Sequence, residues 1–359
     1  MSLVRIEVPS EQRRYPVLVG PGALADLPAL LQNEGLKDVT IVTVPPVWRA
    51  QGHRLAGLAG DAGPVLLSDG ERAKTLQTVS RLYETFGKRG VSRSSTILAF
   101  GGGVTGDVAG FAAATYLRGL RLVQIPTNLL AQVDSAVGGK VGVNLPSGKN
   151  LAGAFHSPSL VVCDPDVLKS LRRREFRAGL YEVVKYGAVL SRDLFDTVAT
   201  GLRQILRVDS ATLVPLVAQC CQIKADVVSA DEREGGPRRV LNFGHTVGHA
   251  LEAMTEYRRF RHGEAIAYGM LAAAELSMTR GLMPADDRDR LADLIRRMGP
   301  LPPVADLRQS DAHDLIARDK KVADGRLHFV LCAGLGSSAI ASDITPQELT
   351  AALGAIGMT

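Results

Sequence analysis

At 359 residues, 46% of them hydrophobic, the chain exceeds what a single hydrophobic core usually holds, so two domains are expected. Its 37 glycines and 18 prolines are dispersed, and there is no repeat period or long charge block, which argues against a disordered or repeat protein. The net charge of +5 comes from scattered basic residues and aromatics make up only 5%, so no nucleic-acid stacking platform is evident; a small anionic substrate accounts for the surplus equally well.

The N-terminal MSLVRIEVPS reads as a strand and not as a signal peptide. Residues 39–44, 65–68, 96–100, 122–125 and 160–163 are short, almost wholly apolar runs, as strands covered on both faces are. Helical segments at 71–86 and 127–137 separate them, which predicts an α/β domain around a mainly parallel sheet. Residues 97–117 have membrane-spanning length, but their five glycines predict a buried strand, turn and helix instead, and no membrane partner is expected. From about Asp164 helical periods dominate, at 175–189, 211–229, 245–254, 264–280 and 287–298, with one strand signal at 327–332. The expected division is an α/β domain over 1–164 and a mostly α-helical domain over 165–359, with the active site in the interdomain cleft. The runs Arg172 to Arg174 and Arg258, Arg259 and Arg261 read as solvated helix ends. The four cysteines, Cys163, Cys220, Cys221 and Cys332, show no CxxC spacing, which suggests a reducing cytoplasm.

Residues that carry chemistry gather in three places. AFGGGVTGDVAG follows a predicted strand and opens a predicted helix, and Gly101, Gly103 and Gly106 satisfy G-x-G-x-x-G. Bare backbone there lets a pyrophosphate reach the N–H groups at the helix start. A tight turn that merely needs glycine would look the same, and the acid expected about 20 residues on is not evident. In QVDSAVGGKVGVNLPSGKN, Asp134, Lys140, Lys149 and Asn150 stand around two turns on glycine-supported loops, a set that suits a polyhydroxylated anion. Lys185, Lys224 and Arg238, the last just before Asn242, add further cations, each of which alone reads as a solvated charge.

The third place holds Glu182 in YEVVKYG, His245 and His249 in LNFGHTVGHA, and His262 in RHGEAIAYGM; three of the seven histidines fall within 18 residues. Imidazoles with one carboxylate suit a borderline divalent ion such as zinc, with a coordination position left for substrate. His245 and His249 stand four apart and share a helical face, so spacing alone nominates them as the paired ligands, although no HExxH is present.

The strings GGGVTGDVAGFAAATYLRG, QIPTNLLAQVDSAVGGKVGVNLPSGKNLAGAFHSP, REFRAGLYEVVKYG, LNFGHTVGHALE and RHGEAIAYGM resemble the 3-dehydroquinate synthases, sugar-phosphate cyclases of the shikimate pathway, over nearly the whole chain. The resemblance implies a NAD-binding α/β domain, a helical domain, a homodimer, and a divalent metal, zinc or cobalt, on Glu182, His245 and His262. His249 then becomes a substrate-side polar or proton-transfer group. The implied substrate set is Arg118, Asp134, Lys140, Lys149, Asn150, Lys224, Arg238, Asn242 and His249, with Lys320 or Lys321 on the phosphate. Of these, His249, Lys140, Lys224 and Asn150, together with Lys185, are the implied catalytic residues. NAD is implied along Gly101, Gly102, Gly103, Gly106 and Asp107, with Asp69, Glu71, Lys74, Thr127, Asn128, Lys140 and Lys149. The implied reaction converts 3-deoxy-D-arabino-heptulosonate 7-phosphate to 3-dehydroquinate and phosphate by transient oxidation with NAD, phosphate elimination, reduction, ring opening and intramolecular aldol closure. A NAD- and metal-dependent polyol dehydrogenase of the glycerol-dehydrogenase type is the alternative, because it shares architecture and cofactors. Val44 departs from the pattern, standing where an acidic or amide residue linked to the adenosine ribose is common. Asn128, Ala136 and Val141 replace hydroxyl residues and Tyr181 a small one.

Overall fold

The computed structural model describes residues 3–322 and 328–359, with the backbone alone for 318–322. The chain divides into two compact units, 1–172 with 208–233, and 173–207 with 234–359. This differs from a single cut at 164/165: the first unit extends to Arg172 and later takes back one helix.

In chain order the first unit holds β1 (Val4–Val8), β2 (Tyr15–Val19), α1 (Leu27–Asn33), β3 (Lys37–Thr43), α2 (Pro45–Gln51), α3 (Ala56–Ala59), β4 (Val65–Leu66), α4 (Leu76–Lys88), β5 (Ser95–Gly101), α5 (Gly103–Thr115), β6 (Arg121–Pro126), β7 (Lys140–Leu145), β8 (Gly148–Phe155) and β9 (Leu160–Cys163). The second unit begins with α6 (Arg173–Val189) and α7 (Arg192–Ile205). After α8 (Ser210–Ala230) has rejoined the first, it continues with α9 (His245–Met254), α10 (His262–Thr279), α11 (Ala285–Arg297), α12 (Gln309–Val322), β10 (Phe329–Cys332), β11 (Ser338–Ala341) and α13 (Pro346–Ala355).

Seven strands form the main sheet in the order β1-β2-β9-β6-β5-β3-β4. Only the β1–β2 pair is antiparallel; the five other pairings are parallel. Every residue of β5 and β9 is buried, which is why these strands read as continuous apolar runs and not as alternating ones. Helix α5 packs on β5 and β6, and α8 packs on β1 and β2. Helix α8 is long and apolar enough to cross a membrane, yet Leu213, Leu216, Val217, Cys220 and Cys221 are buried within its unit. Residues 97–117 form β5, a glycine corner, α5 and the start of a 3-10 turn, matching the strand, turn and helix expected of them.

Three local expectations need correction. The helix expected over 71–86 is interrupted: a short 3-10 turn covers Glu71–Ala73, and α4 starts only after Thr75, whose side chain accepts the N–H of Thr78. The helix expected over 127–137 is shorter, residues 129–135, and its Ala131–Ser135 stretch is π-helical: the N–H of Ala136 reaches back to the carbonyl of Ala131 at 3.1 Å. The glycine-bearing loops that follow form the antiparallel hairpin β7–β8, in which Gly142 faces Gly153. Those glycines permit close strand approach, since a Cβ on Gly153 would stand 2.6 Å from the Val141 carbonyl.

In the second unit α10 is buried along nearly all its length, by small residues as much as large ones, and packs against α6, α9, α11 and α13. A Cβ on Gly269 of α10 would stand 1.8 Å from the carbonyl of Gly244, just ahead of α9, and one on Gly263 would stand 1.9 Å from the carbonyl of Ala178 on α6. Gly269→Ala should therefore cost roughly 1–3 kcal/mol or more in urea unfolding, because backbone must move. Gly57→Ala, on α3 with nothing within 4 Å of the added methyl, should leave stability unchanged or slightly raised.

Candidate metal centre and anion-binding residues

Glu182 lies on α6, where both faces of the helix are buried, and its carboxylate has no exposed surface. His245 is the first residue of α9, and the turn into that helix needs Gly244 in the left-handed region, at φ 79°. His262 is the first residue of α10, and the Glu264 carboxylate fixes that end by accepting the Arg261 N–H at 2.8 Å and two bonds from Arg174.

These three helix positions bring ligand atoms of Glu182, His245 and His262 within 4.8 Å of one another. Nε2 of His262 lies 3.4 Å from Oε1 of Glu182, and Nε2 of His245 lies 3.9 Å from it. The other ring nitrogens are engaged: Nδ1 of His245 is 3.2 Å from the Phe243 carbonyl, and Nδ1 of His262 is 3.2 Å from Oε2 of Glu252. Both are acceptors, so Nδ1 carries the proton in each neutral ring and both Nε2 lone pairs are left on the Glu182 side. Two imidazole nitrogens and a buried carboxylate, oriented in this way, fit a zinc-type divalent ion.

Lys185, one turn along α6, puts its ammonium 2.5 Å from the other oxygen of Glu182 and is 1% exposed. His249 is exposed beside the cluster, its ring 5.2 Å from that of His245 and 5.9 Å from that of His262. The pairing of His245 with His249 suggested by spacing alone is thus replaced by His245 with His262; His249 belongs to a second convergence, with Glu252 and His262. Glu252 went unnoticed in the sequence, although it follows His245 by seven residues and His249 by three, on the same helical face. Arg238 is buried in the 3-10 turn before α9, and Asn242 in that turn donates to Glu234 at 2.8 Å. The side chains of Lys320 and Lys321 lie outside the described residues.

In the first unit, β5 ends at Gly101 and α5 begins at Gly103 with Gly102 extended between them; no side chain caps the helix. A Cβ on Gly102 would stand 2.5 Å from the amide nitrogen of Asn128. An uncapped helix start on bare backbone fits a pyrophosphate. Thr127 donates its N–H to Gly101 at 2.9 Å, and Asn128 caps Ala131 at 2.8 Å. Lys74 is buried and pairs with Asp107 at 2.5 Å. Burial pushes the Asp107 carboxyl up, against the pull of Lys74. The Glu71 carboxylate accepts from Asn144 at 2.7 Å, and Asn144 in turn accepts the Asn150 N–H at 2.9 Å, so the 69–74 loop is tied to the β7–β8 hairpin. Asp107, Lys140 and Asn150 line a pocket of about 430 Å³, while Lys149 neighbours Asn150 on β8 and Asp69 is exposed.

Asp134, on the π-helical turn, is held by buried Lys224 of α8 through both its carboxylate and its carbonyl. One turn earlier on α8, Cys221 donates to the Gln132 carbonyl at 3.3 Å. Arg118 is exposed past the end of α5 remote from the glycine corner, roughly 20 Å along the helix, so one chain does not bring the two together. Val44 is buried at the start of α2 and packs in the sheet core.

Two adjoining family models match the chain: 3-dehydroquinate synthase N-terminal over 64–178 and 3-dehydroquinate synthase C-terminal over 179–322. A 3-dehydroquinate synthase from Acaryochloris marina is 42% identical over 366 aligned residues, covering 98% of each chain. Among solved structures, 2-epi-5-epi-valiolone synthase from Streptomyces hygroscopicus with NAD+ and Zn2+ bound superposes with a TM-score of 0.86 at 29% identity, covering 98% of this chain and 99% of that one. A 2-deoxy-scyllo-inosose synthase complexed with carbaglucose-6-phosphate, NAD+ and Co2+ gives 0.83 at 30% identity over 94% of each. Fold and site together define a sugar-phosphate cyclase, a cyclising phosphate lyase. The chain belongs to the 3-dehydroquinate synthase family.

Burial opposes charge on His262, but Glu182 and Glu252, on opposite sides of the ring, outweigh it and raise its pKa to about 10. Burial, then Lys185, holds His245 well below the ordinary histidine value. Between the usual 6.5 and about 10, His262 is therefore protonated in the metal-free protein and neutral as a ligand. Zinc titrated into metal-free protein at pH 8 should release about one proton per ion from that ring. Calorimetry in two buffers of different ionisation enthalpy reads it; identical heats would mean that no proton leaves.

Proposed function

We propose that the chain converts 3-deoxy-D-arabino-heptulosonate 7-phosphate to 3-dehydroquinate and phosphate, with Glu182, His245 and His262 as metal ligands and the Gly101–Asp107 corner as the NAD pyrophosphate site. The observation that carries this reading is the buried Glu182 carboxylate faced by two imidazoles whose Nδ1 atoms are already engaged. Zinc or cobalt would polarise the substrate hydroxyls, and NAD would accept and return a hydride. Bound NAD and divalent metal in the two related cyclases support the same two cofactors here.

The chain's own residues then have separable tasks. Lys140, Lys149 and Asn150 bind and orient the anionic substrate, and the Asp134–Lys224 pair sets one carboxylate and one ammonium against its hydroxyls. Lys185 balances the charge of Glu182, so the ligand is not an isolated buried anion. His249, exposed beside the ligands, can hold or move a proton at the departing phosphate oxygen. Arg238, Asn242 and a lysine of the 320–321 pair would complete the phosphate and carboxylate contacts, with Arg118 reaching them only from the second copy of a homodimer. Holding one molecule through several steps is chiefly a positioning task, for which fixed geometry contributes roughly 7–11 kcal/mol. Four free buried cysteines suit a cytoplasmic enzyme, and a homodimer is what the resemblance implies.

Turnover with catalytic NAD and zinc should release phosphate far in excess of NAD with no lasting NADH absorbance; stoichiometric NADH would mean a polyol dehydrogenase. Glu182→Ala should lose zinc and about 10³-fold or more in kcat, since a bound ion supplies several kcal/mol. Lys149→Ala should keep its zinc and lose roughly 10–100-fold in kcat/KM, the worth of a hydrogen bond to a charged group. Normal kinetics in that variant would return Lys149 to the solvated surface.

A further inference from the structure

We propose that Glu252 is a positioning residue for His262: it holds the imidazole in the tautomer and orientation that a metal ion needs, without itself ligating the ion. This rests on the ligand set Glu182, His245 and His262 proposed above. Glu252 is only 5% exposed, and a carboxylate is rarely buried without a dedicated partner. Its Oε2 stands 3.2 Å from Nδ1 of His262, while Nε2 of the same ring stands 3.4 Å from Oε1 of Glu182. The ring thus lies between two buried carboxylates, one at each nitrogen.

A neutral imidazole has one N–H and one lone pair. The carboxylate at Nδ1 claims the N–H, and the lone pair at Nε2 is left on the Glu182 side. The two ligand histidines differ in how this is arranged. At His245 the acceptor is the backbone carbonyl of Phe243, which no side-chain substitution removes. At His262 it is a side chain, and the ring keeps 33% of its surface open, so packing alone does not fix it. His262 is therefore the ligand whose geometry depends on one residue.

Glu252, His249 and His262 also converge within 4.8 Å, which raises the possibility that Glu252 is itself a ligand. Within that second group Glu252 faces Nδ1 of His262 at 3.2 Å, whereas in the first Glu182 faces Nε2 at 3.4 Å. A neutral ring must keep its proton on one nitrogen while the other takes the ion, so the two groups exclude each other. The first contains the fully enclosed Glu182 and the second the exposed His249, and the enclosed set is the better one to displace water from an ion.

The test uses the full chain stripped of metal, with zinc titrated against a chromophoric chelator and cobalt as a spectroscopic probe. Glu252→Gln should bind zinc about 10–100-fold more weakly than the original chain, still at one ion per chain. Its cobalt visible spectrum should be altered, because the ring is no longer held in one orientation. Glu252→Asp, which keeps the carboxylate on a shorter arm, should fall between the two, and it decides the matter if the glutamine variant does not fold. Circular dichroism of the metal-free forms separates loss of fold from loss of affinity. Zinc affinity in Glu252→Gln within twofold of the original would overturn the proposal. So would a loss of binding as complete as in Glu182→Ala, which would make Glu252 a ligand. Unchanged binding in Glu182→Ala would instead bring down the ligand set on which the proposal stands.

Discussion

The ligand cluster of the second unit depends on backbone meeting backbone without side chains between. Three helices supply one candidate ligand each, Glu182, His245 and His262, and bring their ligand atoms within 4.8 Å of one another. The contacts of Gly269 with the Gly244 carbonyl and of Gly263 with the Ala178 carbonyl provide that closeness, joining α10 to the start of α9 and to α6. Two of the ligands sit at first helical positions, where the chain has just turned and the side chain is aimed by the turn. The alanines of α10, Ala265, Ala267 and Ala272 to Ala274, are likewise buried and leave room for neighbouring helices.

Buried charge is paired within each unit. Glu182 has Lys185, Asp134 has Lys224, and Asp107 has Lys74, each with the lysine almost fully enclosed. Burying a single charge costs several kcal/mol, and pairing offsets much of it.

The sheet strands were legible because parallel strands buried on both faces leave short apolar runs, and β3, β5, β6 and β9 lie within a few residues of their expected places. The hairpin β7–β8 was not, because its glycines serve strand approach and look like turn residues in a list of letters. The π-helical turn at Asp134 was read as helix for a similar reason: one extra residue in a turn leaves the apolar period nearly intact. In the metal cluster, local spacing paired His245 with His249, whereas the structure gathers Glu182, His245 and His262 from three different helices whose meeting no local period encodes. The resemblance supplied that assignment. Glu252 could have been found from helical spacing alone, at i+3 from one histidine and i+7 from another.

The interleaving of the two units has a consequence during synthesis. The last strand of the main sheet is complete at Cys163, yet α8, which packs on β1, β2 and the Asp134 turn, is not finished until Ala230. Between Arg172 and Arg233 the ribosome adds α6 and α7, which belong to the other unit. At ~5–20 residues per second this leaves the sheet without its helix for roughly 3–12 s. Over that interval an apolar sheet surface and the turn carrying Asp134 lie uncovered on the nascent chain. Slowed translation through α6 and α7 would lengthen their exposure to chaperones and to neighbouring chains, so codon usage in that stretch bears on the yield of folded enzyme.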